Sequence, residues 1–506
     1  MIGTIIDCKD DFKNEAIYTF RTFYEILGIK NLIINTEDIG RHEFSLVVYY
    51  GSKNISFNQK FNVIHIESLN FIELSIQATD NEWIMINKCN SNSDPSSVFF
   101  TSSGTHYGDI LYKNTKNERP LISKKNQIVY STWDIISNSF FFLSRQELIF
   151  NRKRDIHGRF LKQFSKKPEL YDNALVDKYI GIFSDLIEVA SSSPLHETHS
   201  FPLWKDGHTC SLLLSHDVDR IRNFTICKIM RYLRNNLHQQ NGLSFIRSTF
   251  NLLINLLNYS NWFGNFSYIS KLENKYDVKS TFFVSSYPDS KNDPSYNLQN
   301  NLLKKQLRNL LCKGWDIELH GSYNSAKNII NLQNSLKSAN RILEKNTKGM
   351  RFHYLRFLED ITPRLLDESK IQWDSTVGFC DSPGYAAGIS YPFAMYDLKR
   401  RIRLNVFELP LVIMDTYLLL EKQMDLNPEN AWEIIKKFLD KTLERKSCIT
   451  INWHQSIINK LDLTGYSKLY NRILAWGKEN NAWITSPNKL ISWWSKRIDF
   501  NESNIS

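Results

Sequence analysis

Beyond residue 204, short apolar runs recur with helix-like patterns between them: CSLLLSHD, KSTFFVSS, GWDIELHG, MRFHYLRF, IQWDSTVG, VFELPLVI, SCITINWH and AWITS. No other feature constrains the fold as much, because strands separated by helical patterns pair in parallel and cross over through those helices. Seven or eight such units predict an irregular (β/α)7-8 barrel, an α/β fold. Such barrels present reactive side chains at the C-terminal strand ends. Three strings fall there: SHDVD at 215–219, LHGSYN at 319–324 and INWHQ at 451–455.

Upstream, GTIIDC, EAIYTFRTFYEIL, NLIIN, FSLVVYYG and FNVIHIES alternate strand and helix patterns, which predicts a small α/β domain without a phosphate-binding glycine signature. A mainly helical stretch follows. The Ser- and Pro-bracketed string SSSPLHETHSFP at 191–202 then has linker chemistry. The expected division is 1–125, an N-terminal α/β domain; 126–203, a mainly helical connector; and 204–506, the barrel.

The seven cysteines are odd in number and never spaced as CxxC, so neither a disulfide framework nor a zinc knuckle is expected. The charged N-terminus lacks the apolar centre of a signal peptide, and no run reaches the roughly 18 apolar residues of a membrane span. A cytoplasmic protein is the expectation. The net charge of +10 concentrates at 220–240, where Arg220, Arg222, Lys228, Arg231 and Arg234 meet no acidic residue. That segment reads as a basic amphipathic helix, either a solvated face or a peripheral contact with a membrane surface, a lipid-linked substrate or an anionic glycan. No nucleic-acid-binding motif accompanies it.

Asp217 and Asp219 follow an apolar run, and two carboxylates two residues apart at a strand end can point into one pocket. Their repulsion is relieved by a cation, so one carboxylate would ligate a divalent metal and the other would take a proton from a metal-bound water. His320 and Asn324 stand at i and i+4, the spacing by which one short element supplies two ligands. His454 ends another strand and suits general acid chemistry at neutral pH. Phe282, Phe283 and Leu411 read as core. Asp415 and Trp453 are candidates to line a sugar subsite, and DSPGYAAGISYPF at 381–393 is a candidate active-site loop.

This order of motifs resembles the polysaccharide deacetylase, or NodB-homology, family of carbohydrate esterases over residues 205–500, and within it bacterial members with an extra N-terminal region of unknown role. SFFFLSRQELIF and DIHGRF resemble that preceding region. The resemblance implies an irregular NodB-type barrel and a metal-dependent hydrolase of C–N bonds. Its substrate would be an N-acetylated sugar of a surface polysaccharide or of a lipid- or nucleotide-linked precursor. It further implies a divalent cation, Zn2+ first, with Co2+, Ni2+ or Mn2+ as alternatives.

Residue by residue, it implies Asp217 as catalytic base, with Asp219, His320 and Asn324 as metal ligands. Asn324 stands where the family has a second histidine, so His353 and His216 are further candidates for that ligand. Arg351 would pair with the base, the Tyr354 amide would bind the oxyanion, and Asp374 would orient His454, the acid. Because an amide is a poor zinc ligand, the alternative is a catalytically silent carbohydrate-binding or scaffold protein on the same fold.

Overall fold

The alternating apolar runs become two sheets in a computed structural model that describes residues 2–41, 43–52, 61–68, 110–113, 120–131, 133–191, 201–221, 246, 249–250, 265–419, 424–458 and 465–502. The first sheet comprises β1 (Ile2–Asp7), β2 (Asn31–Ile34), β3 (Leu46–Gly51), β4 (Asn62–Glu67), β5 (Ile110–Lys113), β6 (Pro120–Lys125) and β7 (Ile128–Ser131), in the order β2-β1-β3-β4-β7-β6-β5. Its first five strands in that order are parallel, and β7, β6 and β5 meander antiparallel.

Helix α1 (Asp10–Leu27) covers this sheet with a face of Phe12, Ala16, Phe20 and Phe23. It stops at Gly28, whose φ of 71° is the left-handed cap conformation that glycine adopts without a Cβ clash. Helix α2 (Ile135–Leu143) starts where the Asp134 carboxylate accepts the Ser137 N–H at 2.8 Å. The Phe12 and Tyr18 rings meet Phe140 of α2 edge-on, and α3 (Leu175–Ser191) buries Tyr179, Phe183 and Leu186 in the same core.

The second sheet holds β8 (Ser211–Val218), β9 (Thr281–Val284), β10 (Asp316–Gly321), β11 (Gly349–Phe352), β12 (Trp373–Asp374), β13 (Phe393–Asp397), β14 (Ile402–Glu408), β15 (Leu411–Met414), β16 (Cys448–Asn452) and β17 (Trp483–Thr485). Its order is β13-β14-β12-β11-β10-β9-β8-β16-β15, with β17 also pairing β8. Every pairing except β13 with β14 is parallel. The crossovers run through α4 (Phe266–Asn274), α5 (Asn301–Cys312), α6 (Ile329–Leu343), α7 (Pro428–Glu444) and α8 (Tyr466–Glu479), and α9 (Pro487–Glu502) follows the last strand. The fold is α/β, an irregular and incompletely closed barrel. All eight residues of β8 are buried, as befits a parallel strand covered on both faces. Phe282, Phe283 and Leu411 lie in the core.

One apolar core joins the two sheets, running from Phe12, Phe20 and Phe23 through Phe140 and Phe183 to Trp373, Phe393 and Tyr396. Tyr18 donates its hydroxyl to the Ala394 carbonyl at 2.8 Å, and Glu15 accepts both Tyr396 Oη and the Arg401 guanidinium. The loop at 381–393 turns toward this interface. Asp381 accepts the Lys162 N–H, Tyr385 N donates to Tyr171 O, and Gly388 lies against Phe142.

Among the described residues, Cys8, Cys210, Cys312, Cys380 and Cys448 form no disulfide. Among the described residues no helix is long and apolar enough to cross a membrane. The expected basic helix at 220–240 lies, beyond Ile221, outside the described residues.

Candidate metal centre and acid–base cluster

Side chains alternate along a strand, so Ser215, Asp217 and Asp219 share one face of β8 and its extension while His216 takes the other. On the first face, Asp217 Oδ1 receives Arg351 Nη1 at 2.8 Å and Asp217 Oδ2 receives Asn452 Nδ2 at 2.8 Å. Arg351 is fully buried, lies over the Phe283 ring, and spends its other N–H groups on Ser215 Oγ, Ser375 O and Ser375 Oγ. Burial opposes ionisation of Asp217, yet Arg351, His320 and His454 hold its carboxyl below the ordinary carboxylate value.

His320 at the end of β10 pairs in register with Arg351 on β11 and donates Nδ1–H to the Arg351 carbonyl at 2.9 Å. That bond fixes the tautomer and leaves Nε2 as a lone pair, 3.3 Å from Asp219 Oδ1. His353, just past β11, brings its Nε2 to 3.6 Å from the same oxygen, while its Nδ1 faces Asp293 Oδ1 at 3.5 Å. One ligand atom from each of Asp219, His320 and His353 falls within 4.8 Å of the others.

Asp219 Oδ1 and His320 Nε2 are buried yet make no hydrogen bond. Orphaned buried polar atoms that converge are costly unless something binds between them. One carboxylate and two imidazoles form a donor set suited to a divalent first-row cation. The residues present therefore fit the metal, and the Asp219 side chain, 30% exposed, leaves the cluster open to solvent.

The remaining site candidates separate clearly. Asn324 bonds to Asp289: its N–H donates to Asp289 Oδ1 at 3.0 Å and its Nδ2 reaches the Asp289 carbonyl. Among the described residues, His353 is the third side chain whose donor atom falls near those of Asp219 and His320. His216 lies on the other face, where its Nδ1–H donates to the Trp453 carbonyl at 2.6 Å and its Nε2 lies 3.1 Å from Glu273 Oε1.

Asp374 does not reach His454. It accepts Thr376 N and Oγ1 and lies beside Glu408 on the neighbouring strand; burial pushes its carboxyl up to about 6 and that of Glu408 well above its usual value. The carboxylate that holds His454 is Asp415, which accepts the ring Nδ1–H at 2.6 Å and the backbone N–H at 2.8 Å. His454 Nε2 then faces Asp219 Oδ2 at 3.4 Å. Burial works against protonation of this ring, but Asp415 and Asp219 raise it well above the ordinary imidazole value.

Tyr354 sits at φ 60° in a left-handed turn, followed by Leu355 at φ 53°. Trp453 is fully buried and belongs to the core. Three supporting residues escaped the sequence reading. Asn452 binds the second Asp217 oxygen, and Asp293 receives the Tyr323 N–H while facing His353. Asp289 holds the Ser322–Asn324 turn through Ser322 Oγ and Asn324 N. Only Asn452 carried a signal, its place beside Trp453 and His454; both aspartates stand in the turn-like string PDSKNDP.

Residues 4–192 match a family of unknown function, DUF7033. No curated protein matches the chain. Among solved structures it is similar to a protein assigned as a polysaccharide deacetylase from Mycobacterium smegmatis, at 15% identity and TM-score 0.38, covering 58% of this chain and 93% of that one. It is also similar to Puue allantoinase, at 12% identity and TM-score 0.40, covering 59% and 95%. A CE4 family pseudoenzyme from Bacillus anthracis is similar at 10% identity and TM-score 0.29, covering 59% and 72%.

Proposed function

We propose that the chain is a metal-dependent deacetylase that removes acetyl groups from an N-acetylated sugar of a surface polysaccharide or its precursor, with Asp219, His320 and His353 holding the cation. The observation that carries the proposal is the convergence of these three side chains, two of their donor atoms orphaned, beside the Asp217–Arg351 and His454–Asp415 pairs. A divalent cation bound there supplies Lewis acidity toward a carbonyl oxygen and lowers the pKa of a bound water.

Asp217, kept ionised by Arg351, accepts the proton of the attacking water. The Tyr354 amide, in its left-handed turn, donates to the oxyanion. His454, oriented and charged by Asp415, delivers a proton to the departing amine, so that water and the acetamide become acetate and a free amine. Asp374 adds to this arrangement as part of a buried acid pair that interacts electrostatically with Arg351.

The test is metal analysis of the purified chain together with acetate release from a panel of N-acetylated glycans. The wild type is expected to hold about one divalent ion and to release acetate, and Asp217→Asn to keep the ion while losing about 10² to 10⁴ in rate. A chain that binds no metal and releases no acetate would instead be a silent carbohydrate-binding protein on this fold.

A further inference from the structure

The region that matches the family of unknown function reaches the turn beside the candidate metal centre through the loop at 151–164. Within Asn151–Phe164, Asp155 organises a tight turn: its Oδ1 accepts the N–H groups of His157 and Arg159 at 2.9 Å each, and its Oδ2 accepts Arg159 Nε at 2.9 Å and Nη2 at 2.7 Å. Gly158 completes the turn at φ 76° with its N–H on the Asp155 carbonyl.

So braced, Arg159 extends Nη1 to the Tyr354 carbonyl at 3.2 Å. The return contact is Arg356 Nη1 to the His157 carbonyl at 2.8 Å. The His157 ring lies 4.3 Å from that of Tyr354, and its Nδ1 meets Tyr323 Oη at 3.2 Å. Tyr354 in turn packs on His353 at 4.6 Å, and His353 on His320 at 5.0 Å. A chain of rings thus runs from the N-terminal region to the ligand imidazoles.

The turn that receives these contacts is the one most in need of them. Tyr354 and Leu355 are consecutive left-handed residues that are not glycine, a conformation that costs free energy and persists only where its surroundings impose it. His353 lies just past the end of β11 at Phe352.

We propose that the loop Asp155–Arg159 is a positioning element for the metal centre. It clamps the strained turn His353–Arg356 so that His353 faces Asp219 and the Tyr354 peptide is held in place. Arg159 is a positioning residue acting through Tyr354, and His157 walls the turn. The N-terminal region therefore completes the site and is not a separate module. This inference rests on the proposed metal site.

The experiment titrates Co2+ into metal-free full-length protein, following its visible absorption, alongside steady-state acetate release. Wild type, Arg159→Leu, Arg159→Lys and His157→Ala are compared, with metal-free thermal melting as the folding check. Arg159→Leu is expected to bind Co2+ about 10- to 100-fold more weakly, the usual effect of losing a supporting contact, and to lose kcat while KM changes by less than about 2-fold. Arg159→Lys, which can still reach the Tyr354 carbonyl, should recover most of both. If Arg159→Leu melts early, His157→Ala carries the comparison, because it keeps the Asp155–Arg159 brace.

Wild-type Co2+ affinity and kcat in the folded variants overturn the inference and leave the metal site standing. A wild type that binds no Co2+ removes the metal site, and the inference with it.

Discussion

The two faces of β8 carry the same chemical ingredients and put them to opposite uses. Outward, His216 meets Glu273, whose carboxylate also accepts Tyr470 Oη at 2.6 Å, Ser280 Oγ at 3.0 Å and Trp315 Nε1 at 2.5 Å. Inward, His320 meets Asp219 at a similar separation, yet Nε2 of one and Oδ1 of the other have no hydrogen-bond partner. A buried acid–imidazole pair whose polar atoms are engaged is structural. One whose lone pairs converge unanswered is a candidate binding site, because burial without partners costs free energy that a ligand would return.

The sharpest way to break this comparison is to remove one donor from each face. Asp219→Ala should abolish metal binding and lower the deacetylation rate on the order of 10³-fold or more, since a bound cation contributes several kcal/mol to such transition states. Melting should stay close to the wild type without metal; retained metal in this variant would end the ligand assignment. Glu273→Ala, on the outer face, should do the reverse. Leaving His216, Tyr470 and Trp315 without their buried acceptor is expected to cost about 3–5 kcal/mol in denaturant unfolding, while surviving folded protein binds metal normally.

A third acid cluster sharpens the contrast through pH. Asp217, with Arg351 on its Oδ1, is held low, whereas Asp374 and Glu408 are buried side by side and raised. Groups raised in the folded state bind more protons there than in the unfolded chain, so their stabilisation is complete below the unfolded values and is lost as pH climbs through about 6 and beyond. Glu408→Gln should flatten the fall in stability between about pH 4 and pH 7 and gain on the order of 1–3 kcal/mol at neutrality. Urea unfolding across that range checks it, and an unchanged pH slope would refute the shared-acid account.

The smallest effect belongs to Asn324. Asn324→Ala should leave Co2+ affinity within about 2-fold of the wild type and cost about 1 kcal/mol or less through its contact with Asp289. A tenfold weaker site in this variant would return Asn324 to the ligand set.

These outcomes depend on features that were unequally legible. The strand ends bearing Asp217, His320, Arg351 and His454 follow from apolar periodicity, and their convergence follows from parallel strands emptying toward one end of a barrel. Asn324 sits where a helical i+4 ligand belongs, but Asp289 captures the turn and directs its amide elsewhere. Asp374 lies on the right kind of strand, and Thr376 with Glu408 absorbs it. Asp415 was visible as an acid after LVIM, though not as the partner of His454.

The sequence by itself determined the α/β alternation, the parallel barrel and the shared face of Asp217 and Asp219, because these depend on local period and on alternation along one strand. Only the tertiary structure decided that His353 joins Asp219 and His320, that Asp415 holds His454, and that Arg159 reaches Tyr354 from 195 positions away. Those contacts depend on where turns return and which strands become neighbours, and no period in the chain encodes the lateral meeting of distant segments.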